Sequence, residues 1–79
     1  MRGLAEIYTV EDIDAFIEEI GRNDFNLLAR AEARSYSAAE RAADPKLDAM
    51  LKALERRAEL TEEIGSGRRS PDGTLNVRV

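Results

Sequence analysis

Cysteine, histidine and tryptophan are all absent from this chain of 79 residues, and only two prolines occur in it. Each absence closes a class of function. Without cysteine there is no disulfide to staple a small fold, no thiolate nucleophile and no thiolate-held metal. Without histidine there is no side chain that ordinarily titrates near neutral pH and no imidazole ligand. The di-iron arrangement of helical bundles, which uses Glu-x-x-His, is therefore out of reach. Calcium loops need closely spaced acids around a glycine turn, and no such run occurs. Carboxylate pairs at helical spacing, Glu55/Glu59 and Glu59/Glu63, read as surface charge. No GxSxG or phosphate-loop pattern surrounds Ser66, Gly67 or Ser70. The chain is expected to be no enzyme, with no cofactor, no metal and no small-molecule substrate. Long apolar runs are missing too: nothing approaches the roughly 20 residues of a membrane span or the apolar stretch of a signal peptide. A cytoplasmic location in the producing cell is the resulting expectation.

Charge is abundant but unevenly spread. The net charge is −4. Residues 1–20 carry six acids against Arg2, and residues 65–79 carry three arginines against Asp72. An acidic front and a basic tail suit head-to-tail contacts between copies, although an ordinary solvated surface has the same look. Arg56, Arg57, Arg68 and Arg69 lack interleaved aromatics and sit on an acidic protein, which disfavours nucleic acid as a partner.

The most legible stretch runs from Asp44 to Gly65, DPKLDAMLKALERRAELTEEIG. Asp44 can accept the free amides of a first helical turn, Pro45 sits where its missing N–H costs nothing, and Gly65 can close the far end in a left-handed conformation. Leu47, Met50, Leu51, Leu54, Ala58 and Thr61 follow the spacing of one helix face. Earlier, Thr9 and Asp12 resemble a capping box opening VEDIDAFIEEI, with Val10, Ile13, Phe16, Ile17 and Ile20 on one face. Asn23 or Asp24 can cap the next helix. Residues 25–43, FNLLARAEARSYSAAERAA, are alanine-rich and read as one middle helix, with Phe25, Leu28, Ala29, Tyr36, Ala39 and Ala43 as a weaker stripe and the serines beside Tyr36 opening the way to a local break.

These readings give an all-α, three-helix module (about 10–20, 25–43 and 45–64) in a helical domain of residues 1–64 with a short N-terminal arm. Residues 65–79 form a flexible basic linker and an extended, strand-like tail. Leu75, Val77 and Val79 alternate within Thr74–Val79, and no second strand elsewhere in the chain offers to pair with them. The expected core, completed by Leu60 and Ile64, is thin for a chain with no staple, so self-association or a protein partner is the favoured route to stability. An extended tail can add to the edge of a partner's sheet. Arg68, Arg69, Leu75, Val77 and Val79 are the candidate partner-binding residues.

Two resemblances point at assembly. The order of TVEDIDAFIEEI, KLDAMLKALERRAEL and a tail opening with GRRSPDG and ending in Val79 resembles the small W-type head-completion proteins of tailed phages. In that family two helices pack around a short central hairpin, and the protein forms a ring on the portal that joins head to tail. The resemblance implies a structural, head–tail connector role in a virion, carried onto Arg68, Arg69, Leu75, Val77 and Val79. It departs at LLARAEARSYSAAERAA, which reads as helix where the family has a hairpin. The tail SPDGTLNVRV is similar to the cargo-loading peptides that dock inside encapsulin shells, matching best at Asp72, Gly73, Thr74 and Leu75, with Arg78 where a glycine is usual. The phrase DPKLDAML at Asp44–Leu51 is similar to encapsulated ferritins, whose iron chemistry the missing histidines argue against. These imply the alternative of a small helical protein docking through its C-terminal peptide to a shell; an antitoxin-like regulator that docks the same way to another partner is the other form of that alternative.

Overall fold

The computed structural model describes residues 3–76. It is all-α, built on one long helix, α4 (Pro45–Gly65), against which α1 (Val10–Gly21), α2 (Leu27–Ala33), α3 (Ala38–Ala43) and a 3-10 turn at Leu4–Glu6 all pack. At ~1.5 Å per residue α4 is about 30 Å long. Among the described residues no helix is long and apolar enough to cross a membrane.

The start signals of the two longest helices act as their chemistry requires. Thr9 Oγ1 accepts the Asp12 amide at 3.1 Å, and Asp44 Oδ1 accepts the Leu47 amide at 3.2 Å with Pro45 at the first helical position. The stop signal lies elsewhere than expected. Gly65 is still helical, and the left-handed residue is Gly67, with φ of 79°. Its amide reaches the Ile64 carbonyl at 3.1 Å, while the Arg69 amide takes that of Glu63 at 3.1 Å.

The middle segment is two helices rather than one, and neither Asn23 nor Asp24 caps the first with its side chain. Arg34 is fully extended (φ −166°, ψ 173°), which ends α2. Tyr36 folds back so that its hydroxyl donates to the Arg30 carbonyl at 2.6 Å, satisfying a carbonyl that the broken helix leaves open. Ser37 and Glu40 then form a capping box that starts α3. Arg34 stacks on the Tyr36 ring and pairs with Glu40 at 2.6 Å, closing the corner. That guanidinium, with help from the Ser37 amide, draws the Glu40 carboxyl down to about 2 from an ordinary value of 4.5. A carboxyl depressed in the fold favours the folded corner above the ordinary value and loses that preference as pH falls toward the depressed one. The corner should therefore loosen between pH 4.5 and about 2. In a carboxyl-carbon NMR titration, Arg34→Gln should return Glu40 towards the usual range. An unchanged Glu40 midpoint in that variant would remove the ion pair as the cause.

The core has two lobes along α4. One joins Ile7, Ile13, Ala53 and Leu60, and the other joins Leu27, Ala31, Leu47 and Met50. Ala53 is fully buried, and its small side chain gives the first lobe room for Ile7 and Ile13. Leu51 and Leu54, expected at the centre of the buried stripe, are only half-buried, because α4 is wrapped from several sides and buries more than one narrow face. The arm is fixed by Ile7, which is buried, and by the Arg56 guanidinium, which donates twice to the Ile7 carbonyl at 2.8 and 3.1 Å. α3 buries no residue. Arg41 ties it to α4 by pairing with Asp48 at 2.7 Å and Glu55 at 3.2 Å.

The segment after α4, expected as a flexible linker, turns back on the module. Ser70, Pro71, Asp72 and Gly73 form a tight turn closed by the Gly73 amide on the Ser70 carbonyl at 2.9 Å. Asp72 accepts the Thr74 amide, a bond that lowers its carboxyl pKa. Arg69 and Leu75 form one isolated antiparallel bridge, so the described start of the strand-like stretch meets the residues just before it. At Gly73, φ is 94°, and a Cβ would lie 3.0 Å from Tyr8 Cβ. Only glycine fits both the turn and this close approach to the arm.

Candidate functional site

The residues singled out in the tail separate sharply. Arg69 is a structural cation: its side chain is 10 % exposed, pairs with a 15 %-exposed Glu63 at 3.0 Å and donates to the Gly73 carbonyl at 2.8 Å. Its guanidinium lies 5.4 Å from the centre of the Tyr8 ring. Arg69 is one of the candidate partner-binding residues, and each of these contacts is made within the chain. Arg68 stays on the surface, bonded to Ser66 and Glu62. Leu75 is about half exposed. Val77 and Val79 lie outside the described residues.

A second surface is more apolar, and no sequence pattern points to it. α1 and α2 both rest on α4, and between them runs a groove. One end is a cavity of about 500 Å³ formed by Ile17, Gly21, Phe25, Leu28 and Met50 with Glu18, Arg22 and Asp24 at its edge. The other is a cavity of about 350 Å³ formed by Ile17, Leu28, Leu54 and Ala58 with Asp14, Glu32 and Arg57 at its edge. Ile17 and Leu28 line both, so the two cavities adjoin along α4. From Met50 to Ala58 its floor runs for about 12 Å at ~1.5 Å per residue, or two helical turns. Arg57 bonds Asp14 at 2.7 Å across the edge, and that carboxylate raises the guanidinium pKa.

Phe25 stands at the mouth of this groove and is 90 % exposed. Both it and Leu28 were expected in the core. The inward place is taken by Leu27, because the α1–α2 connection makes two tight turns, Asp24 amide to Gly21 carbonyl at 3.1 Å and Leu27 amide to Asp24 carbonyl at 3.0 Å. α2 thus starts at Leu27, and its inner face is Leu27 and Ala31. Two adjacent leucines offer no sequence signal for choosing between them. Apolar surface gathered in one groove beside a bare aromatic is the form of an interaction site.

Among the described residues, no group of three or more acidic side chains is placed to hold a metal ion. Every buried side-chain nitrogen or oxygen there has a hydrogen-bond partner. Comparison with protein-family models, with curated proteins and with solved structures finds no match for the chain.

Proposed function

We propose that this chain is a non-enzymatic interaction protein that joins a larger assembly through the groove between α1 and α2. The observation that carries this reading is Phe25, a large aromatic left 90 % exposed beside an apolar groove in a protein with few aromatics. Large aromatic side chains, phenylalanine among them, dominate the energetics of protein–protein contacts.

The concrete form of the proposal is a head–tail connector component of a phage virion. Its support is the order of parts: an acidic first helix, a long amphipathic last helix and a basic, apolar-ended tail. The central pair α2 and α3 stands where the W-type proteins have a hairpin, so that order, and not the fold, carries the connector form. A ring of copies would rest on head-to-tail contacts, since the groove's edge has more acids than bases and repels its own kind.

Phe25→Ser separates folding from assembly. Exposed as it is, its loss should change stability by no more than about 0.5 kcal/mol. Incorporation into particles or complexes, read by co-sedimentation of the full chain with candidate portal and tail proteins, should fall to background. Normal incorporation of the variant would refute the groove as the joining surface.

A further inference from the structure

All described lysines and arginines except Arg22 and Lys46 are in ion pairs within the chain. The basic charge is consumed internally. The charge left over is acidic, and part of it borders the groove. Asp14 is neutralised there by Arg57, but Glu18, Asp24 and Glu32 have no ion-pair partner among the described residues, and the one unpaired base on the border is Arg22, beside Glu18 and Asp24 in the first cavity. Three acids against one base leave that border with an excess of −2. Its floor is the apolar surface of Ile17, Leu28 and Leu54.

We infer that the groove's ligand is a basic amphipathic helix of a partner protein, a conclusion that rests on the proposed interaction role and names the partner's chemistry. The groove, two turns long, matches a helix that presents large apolar residues at i, i+4 and i+7. Lysines or arginines flanking that stripe meet Glu18, Asp24 and Glu32. Phe25, at the mouth, closes over the bound helix. Nucleic acid and anionic lipid are disfavoured as occupants because they bring charge of the same sign as the border. A second copy docked groove to groove brings the same excess and is disfavoured for the same reason.

A matched pair of synthetic helices of about 14 residues, roughly 21 Å long, tests this. Both carry leucine or phenylalanine at i, i+4 and i+7; one has lysine flanks and the other glutamate flanks. In fluorescence anisotropy with the full chain, the basic peptide should bind about tenfold more tightly at low salt, the sum of several exposed charge contacts. That advantage should shrink at high salt. Phe25→Ser should weaken both peptides, and Glu18→Lys with Glu32→Lys should reverse the preference. Equal binding of the two peptides, or binding of neither, overturns the inference. If neither binds while Phe25→Ser still blocks assembly, the interaction role stands and only the partner's chemistry is wrong. A chain that sediments as a dimer through Phe25 and excludes the basic peptide has a second copy in the groove, which also overturns it. If Phe25→Ser changes neither peptide binding nor assembly, both the inference and the role it rests on fall.

Discussion

Leu60→Ala is expected to be among the most damaging single substitutions in the helical module. Leu60 is fully buried, and it meets Ile7 and Ile13 in the lobe that joins the arm and α1 to α4. Truncating such a leucine removes transfer free energy and leaves a cavity that a small fold fills poorly, at a cost of about 2–5 kcal/mol. A chain of this size has a total stability of roughly 4–12 kcal/mol at ~0.05–0.15 per residue. The loss should lower the melting temperature by about 8–40 °C, at ~4–8 °C per kcal/mol. Leu51→Ala is the internal control. Leu51 lies on the same helix but is only half-buried at the edge of the other lobe, so its loss should cost distinctly less. Urea melts followed by circular dichroism would separate the two. Equal costs at Leu51 and Leu60 would mean that the buried face of α4 is not the one described.

That pair of leucines also marks how far the sequence could be read. The start of α1 and the start of α4 were legible because each is set by bonds within one turn: Thr9 to Asp12, and Asp44 to Leu47. The face of α4 was less so. An amphipathic pattern predicts one stripe, whereas α4 is contacted by the arm, α1, α2 and α3 and buries Leu47, Met50, Ala53 and Leu60. The break in the middle segment was foreshadowed by the serines beside Tyr36, but its specific signature, the S-x-x-E of Ser37–Glu40, was overshadowed by the alanine propensity on both sides, which favoured one helix. Nothing local marked the groove. Phe25 reads as core in any helix-wide pattern, and its exposure follows from where two tight turns place Leu27. The tail misleads for a related reason. Glycines, serines and arginines look like a linker until one of those arginines finds a glutamate six residues back and a tyrosine near the other end of the chain.

The two neighbouring arginines of that tail should therefore behave oppositely. Arg68→Ala breaks a pair whose side chains are 61 % and 75 % exposed, and exposed pairs contribute only about 0–1 kcal/mol. Its melting temperature should barely move. Arg69→Ala removes the partner of a nearly buried carboxylate, the donor to the Gly73 carbonyl and the cation beside the Tyr8 ring. Leaving Glu63 and that carbonyl unmatched should cost about 2–4 kcal/mol, since breaking one side of a buried pair strands the other. Arg69→Lys should recover only part of this, because an ammonium lacks the planar fork that reaches Glu63 and Gly73 together. Thermal melts of the three variants, with hydrogen exchange at the Gly73 and Asn76 amides as a local readout, decide the matter. The expected pattern is early exchange and early melting for Arg69→Ala, a milder loss for Arg69→Lys and almost none for Arg68→Ala. Equal and small losses for both arginines, paired with weakened assembly in both variants, would instead make them steering charges on a tail that leaves the helices.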